Sequence, residues 1–230
     1  MFSRRTLLAS LALAPIAGPL NAAGRKPLWR DDFRHGLKQW QLEAVGDARV
    51  TAQDGLLDIL APKGLTLWFR QALEGPIAIR YDVRAVSAGG PYDEVSDVNA
   101  FWMARDPAAP GGSALGRTRS GTFEEYDSLR TYYVGIGGNR NSTTRMRRYV
   151  GEPGHRPLLP EHDRTDKAAM LVPNQWFSIG LIANDSHIAV ERDGATLFTL
   201  DDPDPYRSGH FGLRTTQSHL QVRNFTITKI

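Results

Sequence analysis

The sequence predicts an all-β fold, a two-sheet antiparallel β-sandwich. Three observations carry that expectation: apolar runs are short and often alternate with polar residues, turn residues separate them at close intervals, and stretches of helical period are few. At 230 residues, with 41% hydrophobic and 23% charged residues, the chain has ordinary globular usage and enough apolar material for a real core.

In chain order, the first segment is "MFSRRTLLASLALAPIAGPLNAAG". Arg4 and Arg5 precede an apolar run from Leu7 to Ala17, and small residues follow up to Gly24. Charge, apolar run and small residues in that order form a cleaved export signal, here of twin-arginine type. The run is shorter than the roughly 20 residues needed to span a bilayer. Residues 1–24 are therefore expected to be a signal peptide, and 25–230 a single exported domain, periplasmic or secreted, with no membrane association after cleavage.

The strands follow. "GLLDILAP" (55–62), "LTLWFRQAL" (65–73), "IAIRYDVRAV" (77–86) and "DVNAFWMAR" (97–105) precede a long loop. Then come "RTYYVGIGG" (130–138), "TRMRRYVG" (144–151), "WFSIGLIAND" (176–185), "HIAVERDGATLFTLDD" (187–202), "HFGLRTT" (210–216) and "LQVRNFTITKI" (220–230). In the third run Ile77, Ile79, Tyr81 and Val83 alternate with Ala78, Arg80, Asp82 and Arg84, a strand with one wet face. Asp193-Gly194 marks a tight hairpin turn. Residues 87–98, 106–129 and 151–175 show little alternation, and loops of that length in a compact domain tend to be functional.

The formal net charge is +3, with basic and acidic residues interspersed. Arginine dominates the bases, which favours planar, bidentate recognition of carboxylate or phosphate. No nucleic-acid-binding motif accompanies the charge, so nucleic acid is not an expected partner. The chain has no cysteine, which excludes disulfides, thiolate chemistry and Cys-ligated zinc. "YDEVSD" (92–97) and "DDPDPY" (201–206) offer oxygen ligands for calcium, but neither has the position pattern of a calcium loop, and solvated turn acids are the simpler reading. No cofactor and no metal are expected, with calcium left open.

"GRTRSGTFEEYDSLRTYYVGIGG" and "SGHFGLRTTQSHLQVRNFTI" resemble the concanavalin-like jelly rolls of the YesU-like group, bacterial proteins found with systems that use rhamnogalacturonan and other plant polysaccharides. The resemblance covers roughly residues 28–230 and is most specific at "SGTFEEY". It implies two stacked antiparallel sheets whose concave face handles a poly- or oligosaccharide. The wider superfamily holds lectin-like modules, glycoside hydrolases and polysaccharide lyases, so the fold does not choose among them.

The segment "YYVGIGGNRNSTTRMRRY" (132–149) concentrates the candidate site. Val134, Ile136 and Met146 mark the core side, so Thr131, Tyr133, Gly135, Gly137 and Asn139 face outward, as do Arg145, Arg147 and Tyr149 on the next strand. Glycines would make a floor, and arginines and tyrosines a rim, as an acidic sugar requires. A solvated basic sheet face is the plainer alternative.

Three chemistries fit. A lyase would hold a uronate carboxylate with Arg145 or Arg147 and Asn99 or Asn139, and would use Tyr133, Tyr126 or His155 as base or acid, the neighbouring arginines lowering a tyrosine pKa. Arg130 and Trp102 join the expected substrate-binding set. A hydrolase would use Glu125 and Asp127, two apart on one face if "FEEYDSLR" is a strand, although the third acid of the jelly-roll glucanase pattern is replaced by Arg130. A binding module would stack sugars on Trp68, Trp102 or Tyr133, but Trp40, Trp68, Trp102 and Trp176 lie in or beside apolar runs and fit the core better.

Overall fold

The structure is a computed structural model that describes residues 26–230. The expected signal peptide, residues 1–24, lies outside the described residues.

The first half of the chain supplies β1 (Trp29–Asp31), β2 (Trp40–Ala44), β3 (Arg49–Gln53), β4 (Leu56–Ala61), β5 (Leu65–Phe69), β6 (Leu73–Glu74), β7 (Ile77–Ala85) and β8 (Val98–Arg105). The second supplies β9 (Arg130–Gly137), β10 (Thr143–Val150), β11 (Asp163–Arg164), β12 (Phe177–Asn184), β13 (His187–Arg192), β14 (Ala195–Asp201), β15 (Ser208–Thr215) and β16 (Ser218–Lys229). They form two antiparallel sheets. One runs β14-β13-β12-β7-β16-β4-β3, with β1 alongside β16; the other runs β11-β10-β9-β8-β15-β5-β2, with β6 alongside β15. Each expected run contains a strand, and the Asp193-Gly194 turn closes the β13–β14 hairpin with both residues at positive φ.

Alternation explains the packing. Ile77, Ile79, Tyr81 and Val83 of β7 are buried while Arg80, Asp82 and Arg84 reach solvent. On the opposite sheet, Leu65, Leu67 and Phe69 of β5, Val134 and Ile136 of β9, and Met146 of β10 enter the same core. Trp40, Phe69, Phe211 and Phe225 pack ring against ring at one end of this core. The indole N–H of Trp40 donates to Asp31 Oδ2 at 2.8 Å, which satisfies its buried polar atom.

β2 and β3, which the run pattern does not reveal, are edge strands of the two sheets. Edge strands are short and charged because a long apolar edge would recruit other chains, and that weakens their alternation.

A second apolar cluster lies on the outer face of the β8–β9–β10 sheet. The 106–129 loop folds over it and brings Ala114, Tyr126 and Leu129 against Trp68, Phe101, Tyr133 and Tyr149. This layer fills half of the face expected to be a groove. The other half stays open.

Candidate functional site

The strand register places the open half residue by residue. Across the outer face one row reads Asp163, Arg145, Gly135, Asn99, Arg214, Thr66 and Glu43. The adjacent row reads Arg147, Tyr133, Phe101, Gly212, Trp68 and Gln41. Charged and amide side chains dominate the first row, and aromatic ones the second. Where the rows meet β10, a cavity of about 430 Å³ opens over Gly135, Asn99 and Tyr133. Arg145, Arg147, Arg156 and Phe123 also line it, and Glu94, Asp97, Asn139 and Arg140 come to it from flanking turns.

Gly135 shows why this position carries no side chain. A Cβ there would stand 2.6 Å from Tyr133 Oη and 3.0 Å from Asn99 Oδ1, closer than atoms pack. Its absence lets a phenol and an amide converge on one point of the cavity. Gly137 has a different reason: its φ is +67° and a Cβ would strike Leu171. It opens a left-handed turn that continues through Asn139, Arg140 and Asn141, all at positive φ. Each such residue costs about 1–2 kcal/mol, least for Asn. Asn141 offsets this by exchanging hydrogen bonds with the Leu171 backbone, at 2.9 and 2.8 Å. The turn thereby delivers Arg140 to the cavity.

The arginines are not equivalent. Arg145 donates to both oxygens of Asp163, at 2.7 and 3.1 Å, and that hydrogen-bonded pairing holds the Asp163 carboxyl below its ordinary range. Arg156 has its Nε 3.3 Å from Asp127 Oδ1 and lies over the Phe123 ring. Arg147 donates to the Arg156 carbonyl and has no carboxylate partner among the described residues. Burial, together with the charges of Arg145 and Arg156, lowers its pKa, as expected for a cation short of counter-charge.

Arg214 stands behind the cavity. It is 2% exposed, its guanidinium lies over the Phe123 and Tyr126 rings, and it donates from Nη1 to Thr66 Oγ1 and the Gly121 carbonyl. Its Nε and Nη2, and Asn99 Oδ1 in the neighbouring register position, have no hydrogen-bond partner among the described residues. Unpaired buried polar atoms cost about 1–3 kcal/mol each. Of the residues that carry them, Asn99 lines the cavity and Arg214 lies behind it.

Asn99, Tyr133, Asn139, Arg145 and Arg147, named from sequence, line this cavity together. Others do not. Trp102 belongs to the core between the sheets, because its parity on β8 is opposite to that of Asn99 and Phe101, and it cannot stack on a sugar. Trp68 is on the outer face but wholly buried. Tyr126 is fully buried and donates to Glu43 Oε2 at 2.9 Å, and Tyr149 is likewise fully buried beneath the cluster. Arg130 lies at the far end of β9, lining a separate cleft. His155 is exposed, with Nδ1 2.8 Å from Glu152, and does not line the cavity.

The expected carboxylate pair also separates. Phe123–Tyr126 is a 3-10 turn rather than a strand, so Glu125 and Asp127 do not share a face. Glu125 accepts from the Ser120 amide and hydroxyl at 2.6 and 2.9 Å, while Asp127 is buried against Arg156 and the Gly154 amide.

Tyrosine chemistry is corrected as well. Burial, the largest influence, pushes Tyr126, Tyr133 and Tyr149 well above the ordinary phenol pKa, outweighing the nearby arginines. Tyr133 therefore keeps its proton at neutral pH.

In the acidic segments 92–97 and 201–206, Asp93 and Asp202 are committed to protein donors, while Asp201 and Asp204 are exposed. Asp93 accepts from the Ala88 and Gly90 amides and faces His219 Nδ1 at 2.9 Å; Asp202 accepts from Tyr132 and Arg148. Among the described residues no group of three or more His, Asp or Glu side chains is placed to hold a metal ion.

Arg156, Phe123, Glu94, Asp97 and Arg140 of the lining, and Arg214 behind it, were not named from sequence as saccharide-site residues. Arg214 alone had a usable signal: in "HFGLRTT", Phe211 and Leu213 face the core, which turns Arg214 outward beside Asn99.

A family model described as a domain of unknown function (DUF6250) matches residues 59–225. A search of curated proteins finds no match. Among solved structures, a Bacillus subtilis protein of unknown function with a galectin-like fold is 17% identical, with a TM-score of 0.66 over 89% of this chain and 98% of that one. The carbohydrate-binding module CBM66 from Bacillus subtilis is 8% identical, with a TM-score of 0.56 over 83% and 96%. A prokaryotic β-1,3-1,4-glucanase (lichenase) derived from a mouse hindgut metagenome is 11% identical, with a TM-score of 0.55 over 87% and 98%. At such identities the likeness establishes the concanavalin-like, galectin-like sandwich and no chemistry.

Proposed function

We propose that this chain, which belongs to the DUF6250 family, is an exported carbohydrate-active protein that takes a uronate residue of a plant polysaccharide, rhamnogalacturonan-like, into the arginine-lined cavity and cleaves the chain by β-elimination. The observation that carries this reading is Arg147, a half-buried guanidinium without a carboxylate partner among the described residues, opposite Tyr133 in the register. Such a charge is costly to bury alone and is relieved by a ligand carboxylate. The galectin-like and CBM66-like architecture, the YesU-like resemblance and the expected twin-arginine signal support a saccharide met outside the cytoplasm.

The chemistry follows from the site. Arg147 and the Asn99 amide N–H bind the C6 carboxylate and stabilise the charge that spreads into it when the C5 proton leaves. Asp97, whose Oδ1 is engaged by Asn99 only at 3.4 Å, is the cavity carboxylate that takes that proton. The C4–O bond breaks as the C4–C5 double bond forms, and Tyr133, still protonated, donates to the departing oxygen. Arg214 adds fixed positive potential from behind.

A second reading, binding without cleavage, is favoured by a cavity lining that holds no histidine among the described residues and by the tightly held tyrosine protons. One experiment separates them. Uronate polysaccharides are incubated with the mature protein while the ultraviolet absorbance of an unsaturated uronate is followed, and binding of the same oligomers is measured by calorimetry. A rising absorbance lost in Arg147→Ala supports elimination. Binding lost in Arg147→Ala without any absorbance supports a module. Neither signal across the panel refutes the uronate reading.

A further inference from the structure

We propose that a second oxyanion site lies at the N-terminal end of β9, built on Arg105 and Arg130 and accepting a sulfate, phosphate or carboxylate group. These two arginines are direct cross-strand partners on β8 and β9. Like charges in that relation repel and weaken the pair. Neither has a carboxylate partner among the described residues. The acid next in sequence, Asp106, is fully buried and committed to Arg119, so it cannot neutralise Arg105.

The Arg105 guanidinium is also held in place. Its Nη1 donates to Ser208 Oγ at 3.2 Å and its Nη2 to the Gly111 carbonyl at 3.0 Å. Gly112 closes on it so tightly that a Cβ would stand 2.5 Å from Nη2, and the 111–112 turn needs φ of +64° and +71° to do so. A loop bent around a fixed arginine that only neutral groups contact is a pre-formed donor array. The adjoining cleft is about 600 Å³; Arg207 also lines it, but is paired with Asp185 at 2.9 Å. Among the described residues Asp204 is the one acid in its lining, and its side chain is 95% exposed. The cleft therefore carries excess positive charge shaped for a group with several oxygens.

The site does not depend on the uronate reading, because Arg147 and its cavity lie at the opposite end of β9. The mature protein is titrated with inorganic sulfate, and separately with a sulfated or uronate oligosaccharide, against chloride at matched ionic strength. Calorimetry and the thermal midpoint are the readouts, and all oligosaccharide titrations are made in Arg147→Ala to silence the first cavity. Sulfate should raise the midpoint of Arg147→Ala, and in that background the Arg105→Gln/Arg130→Gln double variant should bind about tenfold or more weakly. Without added anion, Arg130→Gln alone should melt no lower than wild type, since it removes a like-charge contact. Binding of sulfate alone assigns a free anion, and tighter binding of the oligosaccharide assigns a saccharide-borne group. Retention of the full response in the double variant, or no response in wild type, overturns the proposal.

Discussion

Replacing Gly135 by alanine tests the geometry of the cavity with one methyl group. The added Cβ would stand 2.6 Å from Tyr133 Oη and 3.1 Å from its Cζ, against an ordinary contact of 3.4–4 Å. Tyr133 is 7% exposed and packed by Phe101, Phe123 and Tyr149, so it cannot swing away freely. Gly135 has no positive φ, so the cost is steric. Overpacking of this kind costs about 1–3 kcal/mol, and the gain from replacing a strand glycine returns roughly 0.5–1 kcal/mol. A net loss of up to about 2.5 kcal/mol lowers the midpoint by up to roughly 10 °C for a chain of this size. The methyl also occupies the point where Tyr133 Oη and Asn99 Oδ1 meet, so oligouronate affinity should fall by about tenfold or more. Adding Tyr133→Phe removes the closest contact, and the double variant should recover at least about 0.5 kcal/mol relative to additivity. Calorimetric melting and titration of the four proteins decide it. If Gly135→Ala melts and binds like wild type, neither the crowding nor the placement of the ligand over Gly135 stands.

Arg147→Ala should leave the midpoint within about 0.5 kcal/mol of wild type, because no ion pair is broken, and weaken oligouronate binding by roughly 1.5–3 kcal/mol, measured by calorimetry. Tyr126→Phe should destabilise by roughly 1–2 kcal/mol, since Glu43 loses one of its buried donors, yet leave saccharide binding unchanged; a large loss of binding would return Tyr126 to the site. His155→Ala should change neither stability nor binding, by the same assays, as its side chain is exposed and outside the cavity. The Asp163 carboxyl lies below its ordinary value of 3.8 when folded, so the Arg145–Asp163 pair contributes stability that is present above that pH and lost as the pH falls through the depressed value. Melting from pH 6 downward should therefore show a smaller acid-induced loss in Asp163→Asn than in wild type.

Local rules determined the sandwich and much of its inside-outside order. The two-residue period of β7, β9, β10 and β15 put Val134, Ile136, Met146 and Leu213 in the core and Gly135, Arg145 and Arg147 on the opposite face, because parity along a strand is a local property. Asp193-Gly194 set its hairpin for the same reason. What lay above that outer face was decided only when distant segments met. The 106–129 loop has no period that announces where it docks; by covering Phe101, Tyr133 and Tyr149 it raised the tyrosine pKa values that nearby arginines alone would have lowered. Ion pairing was equally tertiary. Arg145 and Arg147 look alike in "TRMRRY", and only the arrival of Asp163 from β11 gave one a direct ion pair and left the other without one. Burial and charge pairing are sums over neighbours far apart in the chain, so the sequence could name the residues of the face, and only the folded structure could say which of them remain free to meet a ligand.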